Sequence, residues 1–129
     1  MYDDGFDWDS ELNIYTEIFD YSMEDYQNYG YDPTPYIVLE ELVKLDLICE
    51  DDVVVDYGCG KGRIGFFLNK QTDCRVIGVD HNEQLLRVAA NNLKRYGDNG
   101  RITFVHSKAE DYVPSDANCF YFFNPFSTK

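Results

Sequence analysis

VVVDYGCGKGRIGFFL, residues 53–68, passes from an unbroken β-branched run to glycine at every second position, and then to apolar residues at helical spacing. Val53, Val54 and Val55 suit a strand buried on both faces. Ile64, Phe67 and Leu68 suit a helix laid on a sheet. The joint between them, Gly58, Gly60 and Gly62, stands at the carboxyl end of a first strand, where open parallel sheets bind their ligands. Glycine there lets the backbone approach a ligand closely and take positive φ.

The flanking sequence repeats the same alternation. Arg75 to Asp80 reads as a second strand, and Asn82 caps a helix from Glu83 to Tyr96 packed through Leu85, Leu86, Ala89 and Leu93. Gly97 to Gly100 ends that helix, Ile102 to His106 is a third strand, and residues 107–118 form a loop with a helical turn. Cys119 to Phe123 is a fourth strand stopped by Asn124-Pro125. Ahead of the first strand, Pro33 and Pro35 punctuate the chain. Thr34 is the expected cap of a helix from Pro35 to Leu45, with Ile37, Val38, Leu42 and Val43 on its apolar side. Strands alternating with helices predict a parallel sheet with right-handed crossovers.

Composition bounds the rest. The 129 residues make one domain, divided into a leader (1–33) and an α/β core (34–129), and the 44% hydrophobic and 27% charged content is that of a globular protein. No apolar run approaches the roughly 18 residues of a membrane span, the N-terminus is acidic and unlike a signal peptide, and the expected location is the cytoplasm. Cys49, Cys59, Cys74 and Cys119 lack the spacing of a zinc site or a disulfide framework, so reduced packing thiols and no metal are expected. The net charge of −13 is concentrated at the front: residues 1–43 hold 12 acids and no Lys or Arg. Such a leader repels phosphate backbones and gives no support to a nucleic-acid partner, without excluding one. Within it Leu12, Tyr15, Phe19, Met23 and Tyr26 recur at helical spacing and predict an amphipathic helix from Ser10 to Tyr26, either packed on the core or serving as a lid.

Three ligand classes compete for the glycine turn. A phosphate-binding P-loop needs Ser or Thr after its Gly-Lys pair, whereas Gly60-Lys61 precedes Gly62. A dinucleotide site needs GxGxxG, and this turn is GxGxG. Asp56, two residues before the first glycine, would repel pyrophosphate but pair with a cationic amine. Asp80, at the end of the second strand, suits a ribose diol whatever the nucleotide.

Asp56-Tyr57-Gly58-Cys59-Gly60-Lys61-Gly62 resembles the first motif of class I S-adenosylmethionine-dependent methyltransferases. The resemblance covers residues 31–127 and implies a three-layer, Rossmann-like, doubly wound, mostly parallel sheet. About four strands of it are present, in the order 3-2-1-4, behind a helical leader. It implies S-adenosylmethionine as cofactor and S-adenosylhomocysteine as product. The loop Tyr57, Gly58, Cys59 and Gly60 would touch the methionine and adenosine portions, Asp56 would help hold the amino-acid end, Asp80 the ribose, and His81 and Asn82 would lie near the adenine. Ala109, Glu110 and Asp111 resemble the stretch that meets the adenine amine. Asn124, Pro125 and Phe126 resemble the catalytic Asn/Asp-Pro-Pro-aromatic motif of amino-methyltransferases without its second proline, and so imply a nitrogen on a planar acceptor of otherwise unknown identity. A non-catalytic nucleoside-binding module is the alternative function. The family's later strands are missing, so the fourth strand's apolar edge would be open. That predicts either a homodimer through this edge or a fragment of a longer protein.

Overall fold

The computed structural model describes residues 5–18 and 31–113, and the backbone of 119–123. Its elements are α1 (Trp8–Leu12), α2 (Tyr36–Lys44), β1 (Val53–Tyr57), α3 (Arg63–Thr72), β2 (Arg75–Asp80), α4 (Glu83–Tyr96), β3 (Ile102–His106), a 3₁₀ turn (Ala109–Asp111) and β4 (Cys119–Phe123). The sheet runs β3-β2-β1-β4. All pairings are parallel, with Asp56 opposite Gly78, Tyr57 opposite Val79 and Phe123, and Asp80 opposite His106.

The period-two geometry of strands sends neighbouring residues to opposite faces. Val54, Val76 and Ile102 join Phe66, Phe67 and Leu68 of α3, Leu39 of α2 and Leu12 of α1 in one buried cluster, while Val55, Tyr57 and Val79 form another. The described helices pack on the first of these faces. A third layer is therefore not among the described residues, and the reason is topological. The crossovers β1-α3-β2 and β2-α4-β3 advance in the same direction along the sheet, so the right-handed rule puts both helices on one side.

The leader departs from expectation. The helix ends at Leu12, where Asn13 turns left-handed (φ 61°), and Leu12, Ile14 and Thr16 are buried while Asn13, Tyr15 and Glu17 are exposed. An extended alternation has displaced the helical period. The Asp9 carboxylate fixes it by accepting from the Thr16 amide and the Thr16 hydroxyl, each at 2.7 Å, and from the Tyr36 hydroxyl. Residues 19–26 of the expected helix lie outside the described residues. α2 is also corrected. Pro35 is its cap residue, with no side-chain cap bond, and it buries Leu39 and half-buries Leu42 and Val43, leaving Ile37 and Val38 exposed.

Candidate functional site

β1 delivers Asp56 to the carboxyl end of the sheet, on the helix-covered face, and the glycine turn folds back over the end of β2. The amides of Gly58 and Cys59 both donate to the Val79 carbonyl, at 2.7 and 3.0 Å. The third strand end closes on the second, with the Ser107 amide donating to the Asp80 carbonyl at 2.9 Å. Gly60 has φ +55°, and a Cβ built on it would lie 2.5 Å from Cε1 of Tyr31. The turn tolerates no side chain there, for conformational and steric reasons alike.

Two carboxylates lie under this turn. Asp80 Oδ2 accepts from the Gly60 amide and Oδ1 from the Asn82 amide, both at 2.8 Å. These bonds fix the acid's orientation and leave each oxygen with lone-pair capacity for a hydroxyl donor. Asp56 is only 2% exposed. Among the described residues no donor reaches its side chain, and burial, reinforced by the Asp80 charge, pushes its pKa up to about 8. A buried carboxylate without a partner is costly.

The other sequence candidates take distinct places. Cys59 is buried and its thiol is pushed well above its ordinary pKa, first by burial and then by Asp56 and Asp80, so it is a protonated packing group rather than a nucleophile. It lies over Gly78, whose missing side chain makes room: a Cβ there would be 2.9 Å from the Cys59 sulfur and 2.8 Å from the Phe104 ring. Tyr57 is buried and its hydroxyl donates to the Tyr112 carbonyl at 3.1 Å, tying the 3₁₀ turn to the end of β1. Ala109, Glu110 and Asp111 on that turn are exposed. The His81 side chain is exposed too, and its carbonyl lies 3.1 Å from His106 Nε2. Asn82 spends its side-chain oxygen as the cap of α4, accepting from the Leu85 amide at 3.0 Å. Asn124, Pro125 and Phe126 lie outside the described residues. The chain leaves β4 at Phe123, opposite Tyr57, at the same end of the sheet as the glycine turn.

Residues 54–125 match the family of methyltransferase domains. The chain belongs to that family. Its Rossmann-like fold is the partial class I fold of the S-adenosylmethionine-dependent methyltransferases, and S-adenosylmethionine is the cofactor that the family and its solved neighbours indicate. The chain is 34% identical over 76 residues to a protein-lysine N-methyltransferase of Saccharolobus islandicus, covering 58% of this chain and 47% of that protein. It is 37% identical over 87 residues to the ribosomal protein L11 methyltransferase of Aeromonas salmonicida, covering 67% and 27%. Among solved structures it resembles an RNA methyltransferase from Salinibacter ruber in complex with S-adenosyl-L-homocysteine, with TM-score 0.59, 27% identity and 63% and 53% of the two chains covered. A SAM-dependent methyltransferase from Thiobacillus denitrificans shares the fold at TM-score 0.63 and 18% identity, with 77% and 42% covered. The chain thus spans about half or less of the length of these curated relatives.

Sequence reasoning missed the buried roles of Lys61 and Arg63 and the place of Tyr31. Lys61 is fully buried and Arg63 nearly so. The one available signal was a pair of cations placed where a turn enters a sheet-covering helix. Among the described residues no cluster of His, Cys, Asp and Glu fits a metal, and no helix is long and apolar enough to cross a membrane.

Proposed function

We propose that the chain binds S-adenosylmethionine at the glycine turn and transfers its methyl group to an amine nitrogen on a basic protein. The observation that supports the donor half is the buried Asp56 side chain, which no donor reaches among the described residues, beside an oriented Asp80. One acid meets the donor's ammonium and the other accepts from its ribose hydroxyls. His81, Asn82 and the Ala109–Asp111 turn border the adenine, the last by its exposed acids. This division of labour suits the donor set, because an ammonium draws the buried Asp56 into its charged form whereas a pyrophosphate would oppose that ionisation.

When bound, the donor supplies an already activated methyl group on sulfur, so the protein's work is positioning and exclusion of water. Gly58 and Gly60 let the backbone close against the donor. Asn124 and Pro125, following β4, offer acceptor oxygens that align the amine hydrogens and aim the nitrogen lone pair at the methyl carbon, and Phe126 packs against the acceptor. The acceptor would have to enter as the free amine. Its N–C bond would form as the S–C bond breaks, the electron pair staying on sulfur as the thioether product, and the methylated ammonium would lose its proton to solvent once released.

The acceptor half is supported by the protein-lysine and ribosomal-protein methyltransferases among the relatives and by the net charge of −13, which draws a cationic partner. The test is transfer of isotope-labelled methyl groups to basic protein, RNA and small-amine acceptors. Label on lysine-rich protein, reduced by Asn124→Ala, is expected. Label on RNA alone would overturn the acceptor assignment, and none on any acceptor would favour a nucleoside-binding module instead.

A further inference from the structure

The two cations at the glycine turn take their partners from the leader and the residues just after it. Lys61 Nζ donates to the Glu17 carbonyl at 2.7 Å and lies 5.1 and 5.0 Å from the ring centroids of Tyr15 and Tyr31. Arg63 donates through Nε to the Thr16 hydroxyl at 2.7 Å, through Nη2 to the Thr16 carbonyl at 3.3 Å and through Nη1 to the Thr34 carbonyl at 3.1 Å, and its guanidinium lies 4.3 Å from the Tyr36 ring centroid. Tyr31 closes the arrangement: its hydroxyl donates to the Thr16 carbonyl at 2.6 Å, and its ring fills the space above Gly60 that a side chain would occupy.

Burying a lysine and an arginine is expensive unless each is well paired. Here most of the pairing comes from the leader, through the carbonyls of Thr16 and Glu17, the Thr16 hydroxyl, the rings of Tyr15 and Tyr31 and the Glu17 carboxylate 3.7 Å from Arg63 Nη2, and the rest from Thr34 and Tyr36 just after it. The turn can keep this buried form only while residues 14–17 and 31–36 are docked. Gly60 is the point of contact between the two halves. Tyr31 lies on its α-carbon, and its amide holds Asp80 Oδ2.

We propose that the leader is a wall of the donor site, with Tyr31 as a positioning residue that presses Gly60 onto Asp80, so that leader docking and donor binding are thermodynamically coupled. The proposal rests on the donor reading above. Coupling of this kind is reciprocal: a donor that needs the oriented Asp80 stabilises the docked leader, and loss of the leader's contacts weakens the donor by the same factor. The leader of this fold is then part of the active centre and no mere appendage to the core.

Amide hydrogen exchange on the full chain, with and without S-adenosylhomocysteine, tests it together with the affinities of two variants. The product is expected to slow exchange at residues 14–18 and 31–34 along with the glycine turn. Tyr31→Ala is expected to weaken product binding by about tenfold, whereas Tyr31→Phe, which keeps the ring over Gly60, retains most of the affinity. Protection of the glycine turn with unchanged exchange at residues 14–18, or a folded Tyr31→Ala variant that binds as tightly as the parent, would overturn the coupling and leave the donor assignment standing. No binding to the parent would overturn both. Should Tyr31→Ala fail to fold, the exchange pattern of the parent decides.

Discussion

Asp56 carries a proton that the unfolded chain would have lost. Its pKa rises from 3.8 to about 8 through burial and the Asp80 charge, so between these values the folded state binds more protons than the unfolded one. Its contribution to stability is full below about pH 3.8 and is lost as pH climbs toward and through about 8. Chemical denaturation of the ligand-free chain at pH 5 and pH 8 is expected to show this decline, and Asp56→Asn to flatten it. An ammonium beside Asp56 favours the carboxylate, so donor affinity should rise between pH 6 and 8, by at most about tenfold per unit, and Asp56→Asn should remove that slope. Asp80→Asn keeps one acceptor oxygen and loses the charge, and donor affinity should fall about tenfold to a hundredfold. Gly60→Ala combines positive-φ strain with collision against Tyr31; a loss of at least about 1 kcal/mol is expected by urea titration. The glycine turn and the places of both aspartates at strand ends were legible because they lie in local spacing. Lys61 and Arg63 were not, because their partners come from the leader, as with Arg63 and Thr16, 47 residues apart.

α4 shows how far periodicity and capping reach. Asn82, the buried Leu85, Leu86 and Ala89, and the C-terminal Gly97 are all visible in the chain and all take their expected roles. Asn82→Ala should therefore cost about 1 kcal/mol, read as a lowered denaturation midpoint with the fold retained. The leader shows where periodicity fails. Leu12 and Tyr15 fit a helical period, and Leu12, Ile14 and Thr16 fit a strand-like one. The choice was made by Asp9, which captures the Thr16 backbone and hydroxyl together. α2 failed in a milder way, since its position over α3 and Arg63, and not its own sequence, selects Leu39 over Ile37 and Val38 as the buried side.

The alternation of elements from β1 to β3 is consistent with one ligand-binding α/β layer, and the core that results is tight. Leu68 is fully buried among α3, β1 and β2; Leu68→Ala should remove about 2 to 5 kcal/mol, measured by urea titration. The layers were harder to read than the strands, because the side a helix takes depends on the direction of the crossover rather than on its own residues. The proposed donor site stands on two acids, Asp56 and Asp80, at the carboxyl ends of neighbouring parallel strands. Calorimetric titration of the chain with S-adenosylhomocysteine and, separately, with NAD tests that claim most directly. Saturable one-site binding of S-adenosylhomocysteine, weakened by Asp80→Asn, with no heat from NAD, is predicted. Binding of NAD without the adenosyl compound would contradict it.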